Sequence, residues 1–282
     1  TCRAAYKRLF LEERRYKFLG SGPCLVLLAG FASTIESWGF QLRGLNKDYR
    51  LLAIENRRMC REMDDDQEFN VHDMIRDMNL LLEKYRIDHI SILGASMGGI
   101  IGWEYANRYP ERVDSFIFSS LPLKGDVRMA ICLADLEKAL MSNDMAFLGE
   151  RITDCFFSRG FLHKRNSQFI KALFMESISR INAGTIQNQF VFLKKWHGVE
   201  NYPTLPNIPC LFIYGSEDKV VDIDVNMAVI KSLLPGAIFQ VIDGAGHAVH
   251  IEKPNIFNNI VREFLGQVTS CQNSVCSLQA FT

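Results

Sequence analysis

What this 282-residue chain lacks narrows its function before any motif is read. It has no net charge, because 32 basic and 32 acidic side chains cancel, so there is no electrostatic footprint for nucleic acid or an anionic membrane. It has no apolar run approaching the roughly 20 residues that span a bilayer. The opening Thr1-Cys2-Arg3-Ala4-Ala5-Tyr6-Lys7 lacks the basic-then-apolar layout of a secretory signal, and no Asn-x-Ser/Thr sequon occurs. The eight cysteines include no Cys-x-x-Cys pair and no metal-ligand spacing. Free thiols, a reducing cytoplasmic setting and no metal are therefore expected. Internal repeats and low-complexity tracts are absent as well.

What is present is ordinary globular material, 48% hydrophobic and 11% aromatic. The length suits one large α/β domain, or a domain with a sizeable insertion. Short apolar runs alternate with helical patterns, which is the signature of βαβ units around a mostly parallel sheet flanked by helices. Expected strands are Arg8–Glu12 and Arg15–Phe18 as an opening antiparallel pair, then Cys24–Ala29, Leu51–Glu55, Ile90–Leu93, Ser115–Ser119, Cys210–Tyr214 and Ile238–Ile242. Expected helices cover Ile35–Leu45, Asn70–Tyr85, Met97–Arg108, Asp224–Leu234 and Asn255–Leu265.

Between Leu121 and Pro206 strand-type runs stop, and amphipathic stretches appear at Met129–Met141, Met145–Phe157, Ser167–Ile181 and Thr185–Trp196. So long a segment is an inserted subdomain rather than a loop. Lying between two core strands, it is expected as a helical cap over their carboxyl ends, where open α/β sheets bind ligands. The division is then a core of residues 1–120 and 207–270, a cap of 121–206, and a peripheral tail of 271–282. That tail carries Cys271 and Cys276, and periodicity is lost from Gly266 onward.

The most informative segment is Ile90-Ser91-Ile92-Leu93-Gly94-Ala95-Ser96-Met97-Gly98-Gly99, a strand, a tight turn and the start of a helix. Gly94 and Gly98 let strand and helix nearly touch, and Ser96 stands at the apex facing a helix N-terminus. A serine so held is a candidate nucleophile, which needs a base and a carboxylate to orient that base. Two later strands end in Gly215-Ser216-Glu217-Asp218 and Asp243-Gly244-Ala245-Gly246-His247. Asp218 and His247 thus follow Ser96 in the order Ser, Asp, His. His250 rivals His247 as base, but only His247 follows the Gly-x-Gly turn. Asp222 and Asp224 are alternative acids better suited to capping the next helix. Glu217 is expected to point elsewhere, and His72 and His89 to be structural. Trp38, Trp103 and the cap aromatics Phe156, Phe157, Phe161 and Trp196 read as core, with room for one or two cap residues facing the sheet edge to line an acyl site. Lys164-Arg165 reads as a solvated pair.

On these residues, with Glu252-Lys253-Pro254 after the histidine, the chain from about Tyr6 to Leu265 resembles the α/β-hydrolases, specifically the Ser-Asp-His hydrolases with a helical cap. The resemblance implies Ser96 as nucleophile, His247 as general base then acid, and Asp218 as the orienting carboxylate. It also implies an oxyanion hole from the backbone N–H groups of Met97 and of Phe31, in the loop Leu27-Leu28-Ala29-Gly30-Phe31-Ala32-Ser33. Two departures stand out. Ala29-Gly30 replaces the family's His-Gly, and Glu55-Asn56-Arg57-Arg58-Met59-Cys60-Arg61-Glu62 loses two glycines of the usual loop, so substrate inference from the family is unsafe.

The implied activity is hydrolysis of a carboxylic ester, lactone or thioester with a fairly apolar acyl group, without metal or cofactor. Ser96 excludes the aspartate nucleophile of dehalogenases and epoxide hydrolases of this fold. A carbon–carbon bond hydrolase, lyase or acyl transferase using the same residues is the second reading, and a hydrolase-shaped ligand receptor the third. The partner in every case is a small molecule.

Overall fold

The computed structural model describes residues 16–56, 70–122, 127–196 and 208–279, the last nine of these for their backbone alone. Seven strands form one sheet: β1 (Tyr16–Leu19), β2 (Cys24–Leu28), β3 (Arg50–Ile54), β4 (Ile90–Ala95), β5 (Val113–Ser119), β6 (Cys210–Gly215) and β7 (Ile238–Ile242). Their order is β1-β3-β2-β4-β5-β6-β7. Among the described strands only β1 runs antiparallel, against β3. The remaining pairs are parallel, so their carboxyl ends share one edge, with Leu28 opposite Gly94, Ala95 opposite Ser119, and Gly215 opposite Ile242.

Alternation along the central strands explains the two-sided core. Val26, Leu28, Ile92, Phe116, Phe118 and Phe212 face one apolar layer. Leu25, Leu27, Leu93, Ile117, Leu211 and Ile213 face the other. Helices cover both faces: α1 (Gly39–Gly44), α2 (Val71–Tyr85), α3 (Met97–Arg108), and, after the insertion, α9 (Ile223–Leu233), α10 (Val249–Glu252) and α11 (Pro254–Gln279). The insertion comprises α4 (Val127–Met141), α5 (Met145–Phe156), α6 (Arg159–His163), α7 (Gln168–Ser179) and α8 (Ala183–Lys195). Its buried Leu136, Ile152, Phe174 and Phe190 are continuous with the first layer of the sheet core.

Local chemistry fixes the helix ends. Asn70 accepts from His72 N at 2.9 Å, Asp144 from Ala146 N at 2.9 Å, and Asn182 from Gly184 N at 2.8 Å. Each side chain satisfies an amide that has no partner inside its helix. α6 was not anticipated by periodicity; Ser158 starts it by accepting from Phe161 N at 3.1 Å.

Some expectations need revision. The Ile35–Leu45 helix is a 3₁₀ turn at Ile35–Trp38 followed by α1. The first described strand is Tyr16–Leu19 and pairs with β3; Arg8–Glu12 lies outside the described residues. The final helix does not stop at Leu265 but runs to Gln279. Gly266 is no terminator there, because Val268 continues the buried series of Val261, Phe264 and Leu265. The Thr269 and Ser270 hydroxyls bond carbonyls four residues back instead of ending the helix. No described helix is long and apolar enough to cross a membrane.

Candidate active site

Ser96 follows β4 with φ 48° and ψ −115°, a left-handed backbone that costs a non-glycine residue about 1–3 kcal/mol. The strain is held by packing. A Cβ on Gly98 would strike Leu28 O, and one on Gly94 would lie 2.7 Å from Gly98 O. Ser96 N donates to Ser119 O at 2.8 Å, tying the turn to β5. Met97 is the first residue of α3, so its N–H has no acceptor within the helix. The loop after β2 passes directly beside the serine, since a Cβ on Gly30 would stand 3.5 Å from Ser96 Cβ. Phe31 is buried in this loop, and Ala32 has φ 49°.

Asp218 and His247 follow β6 and β7, and both are almost wholly buried, at 2% and 4% exposure. His247 Nδ1 lies 3.1 Å from Asp218 Oδ1 and 2.9 Å from Oδ2. Asp218 Oδ1 also accepts from Val220 N at 2.8 Å and Val221 N at 3.0 Å. The carboxylate is therefore fixed by its own loop before it meets the imidazole. The other imidazole nitrogen, Nε2, is buried with no hydrogen-bond partner among the described residues. Ser120, with φ 51°, donates its hydroxyl to His247 O at 2.8 Å and its N–H to Ile213 O at 2.9 Å. The end of β5 thus joins the Ser96 turn to the His247 loop.

Sequence reasoning missed several groups that hold this edge together. Glu252 Oε1 accepts from Gly246 N at 3.0 Å and Ser158 N at 2.9 Å, and its Oε2 from Ser158 Oγ at 2.6 Å. Burial raises its pKa despite those donors. A side chain on Gly246 would stand 2.6 Å from Ser158 N, so the approach of the insertion requires glycine there. Ala248 N donates to Phe156 O at 2.9 Å, and Lys219 Nζ to Asp154 O at 2.7 Å and Phe157 O at 2.8 Å. The Phe156 ring lies 5.2 Å from the His247 ring. On the other side, Asn56 Nδ2 donates to Ala29 O at 3.1 Å and Gly30 O at 3.2 Å, while Glu55 Oε2 accepts from Ile35 N at 3.2 Å. Glu252 was available as part of Glu-Lys-Pro; Asn56, Ser158 and Ser120 have no local signal. Arg57 to Glu62 lie outside the described residues.

The rival residues sit elsewhere. His250 is packed 4.5 Å from the Trp38 ring and 6.0 Å from Phe257. Burial, with His247 adding to it, lowers its pKa to about 3. Asp222 caps α9 by accepting from Val225 N at 3.3 Å. Asp224, Glu217, His72 and His89 are exposed, as are Lys164 and Arg165. Trp38, Trp103, Phe157, Phe161 and Trp196 are buried in the core layers. An open cavity of about 550 Å³ is lined by Cys132, Arg151, Cys155 and Arg159 of the insertion and by Lys219 of the loop after β6. Neither Ser96 nor His247 lines it.

A strand-ended serine turn, a buried carboxylate–imidazole pair and a helical insertion between β5 and β6 define a class. Residues 23–254 match the model of the alpha/beta hydrolase fold, and the chain belongs to that family of enzymes. It is similar to a putative 2-succinyl-6-hydroxy-2,4-cyclohexadiene-1-carboxylate synthase of Bacillus subtilis (strain 168). The two are 27% identical over 90% of this chain and 96% of that one. It is also 21% identical to epoxide hydrolase 1 of Caenorhabditis elegans, over 91% of this chain and 69% of that one. The solved bromoperoxidase of Bacillus anthracis superimposes with a TM-score of 0.79 at 21% identity, covering 89% of this chain and 94% of that one. At that identity the likeness shows the fold.

Proposed function

We propose that this enzyme is a serine hydrolase that cleaves a carboxylic ester, lactone or thioester of a small molecule through an acyl-enzyme on Ser96. The observation that carries this reading is the buried Asp218–His247 pair, with Nε2 left unpaired at the sheet edge that also holds Ser96. Asp218 accepts from Nδ1–H and so selects the tautomer whose Nε2 is a base. Nε2 takes the Ser96 hydroxyl proton as Oγ attacks the substrate carbonyl. The carbonyl oxygen becomes an oxyanion facing the Phe31 and Met97 amides. His247 then gives its proton to the leaving alcohol or thiol. Water, activated by the same Nε2, releases the acid and restores Ser96. Ser96 and Nε2 are not hydrogen-bonded in the free enzyme, and such contacts commonly tighten only when substrate binds. The helices between β5 and β6 act as a cap, and Phe156 beside His247 makes part of an apolar wall.

The test is labelling with a fluorophosphonate probe, comparing the wild type with Ser96→Ala. The expected result is stoichiometric labelling that the substitution abolishes; labelling that survives it sinks the assignment. A second reading, carbon–carbon cleavage or elimination with the same residues, draws on the 27%-identical relative named as a synthase. Sustained turnover of p-nitrophenyl esters or acyl thioesters of graded chain length favours the first reading. Labelling without such turnover favours the second. The epoxide-hydrolase likeness is not carried over, because a serine occupies the turn. A ligand receptor of this fold predicts tight binding and one slow cycle rather than repeated turnover.

A further inference from the structure

The Phe31 N–H is useful to an oxyanion only if its direction is fixed, and the two peptide planes that meet at Phe31 are each held at a named atom. A peptide unit is planar, so holding its carbonyl oxygen also sets the direction of the N–H on the opposite side. Gly30 O shares a plane with the Phe31 N–H, and it accepts from Asn56 Nδ2 at 3.2 Å. The next plane joins Phe31 O to Ala32 N. Its oxygen accepts from Ser33 Oγ at 3.1 Å, and its N–H donates to Gln189 Oε1 at 3.0 Å. Gln189 belongs to α8 of the insertion, 157 residues away from Ala32. Its exposure is 0% and that of Ala32 is 1%, so water does not compete for the bond. Ala32 also has φ 49°, a conformation an alanine leaves readily unless something holds it. Nearby, the Thr34 and Ser177 hydroxyls lie 2.9 Å apart and join the same loop to α7.

From these contacts we infer that Gln189, together with Asn56, is a positioning residue for the oxyanion hole, so that the insertion completes the site by orienting the Phe31 amide. This rests on the reading of Ser96 as nucleophile. Gln189 touches no reacting atom; it acts through the Phe31–Ala32 peptide plane.

The test is Gln189→Leu, which keeps approximate size and removes the acceptor, assayed on p-nitrophenyl butyrate. Displacing a donor at a reacting oxygen is expected to lower kcat by about 100-fold, with KM within about threefold because the ground-state carbonyl gains little from that donor. A trifluoromethyl ketone, which forms a tetrahedral oxyanion on the serine, is expected to lose affinity by the same factor as kcat. Fluorophosphonate modification of Ser96 still goes to completion, more slowly. Gln189→Asn, which stays polar but is one methylene too short to reach Ala32 N, is expected to behave alike and serves if the leucine variant does not fold. Unchanged kcat in the folded variant overturns the proposal, as does a rise in KM alone, which would make Gln189 a substrate contact. Failure of the wild type to label at Ser96 instead overturns the nucleophile reading, and this proposal with it.

Discussion

The two halves of the candidate site are held in different ways. Asp218 and His247 sit on loops after neighbouring strands, and the carboxylate is fixed by amides two and three residues along its own loop. The Phe31 half is held from afar, by Asn56 across 26 residues and by Gln189 across 157. The Asp218 carboxylate is therefore oriented within its own loop, with Ser120 and Glu252 bracing the His247 loop from outside, while the Phe31 peptide is oriented by segments that meet only in the folded chain. The two should respond differently to substitution and to acid.

The largest effect is expected at the Asp218–His247 pair. Asp218→Asn keeps the shape but favours the wrong histidine tautomer; the corresponding change in a well-studied serine protease costs about 10⁴-fold in kcat. Steady-state assay with a p-nitrophenyl ester checks it, and a loss below tenfold would show that His247 does not depend on this carboxylate.

Next comes acid. His250 is packed against Trp38 and Phe257, and burial, with His247 adding to it, holds its pKa at about 3 against an ordinary 6.5. Below pH 6.5 the unfolded chain therefore binds a proton that the folded chain refuses. Stability rises with pH across this window and is lost as pH falls from 6.5 towards 3, by an amount on the order of 4 kcal/mol. Urea unfolding at a series of pH values should show that slope, and His250→Gln should flatten it. A slope that the substitution leaves intact would assign the acid sensitivity to other groups.

A smaller loss is expected in the distant half. Asn56→Ala strips the Ala29 and Gly30 carbonyls of their buried donor, at a cost of about 1–3 kcal/mol. Denaturant midpoints would detect it, and kcat should fall along with them. Stability lost without any change in kcat would break the link between this loop and the oxyanion. The smallest effect has the opposite sign. Ser96→Gly relieves a left-handed backbone and is expected to raise stability by about 1 kcal/mol while abolishing labelling. A lowered melting temperature would mean that the serine is not strained.

The same contrast governs what can be read in the sequence. The sheet and the strand–turn–helix at Ser96 are legible because apolar alternation and glycine spacing are local patterns. Asp218 and His247 can be picked out as loop residues at strand ends, and Asp222 as a helix cap. Gln189 and Asn56 are not legible, since an amide meeting a backbone group in another segment leaves no periodic trace. Ser158 is hidden for the same reason, since its partner Glu252, itself visible in Glu-Lys-Pro, lies 94 residues away. The end of α11 is missed because Gly266 looks like a terminator, whereas burial of Val268 carries the helix onward.

The bond from Glu252 to Ser158 also has a consequence for assembly. Chains are made from the amino end, so the insertion leaves the ribosome before the residues that seat it. The residues of α5 and α6 are made while β6, β7, Ala248 and Glu252 are still to come. During that interval the Phe156 and Phe157 rings have no sheet edge to rest on, and β5 lacks its neighbour β6. Pairing across so long a gap is slow. The aromatics of the waiting insertion are covered only once β6 and Glu252 have followed.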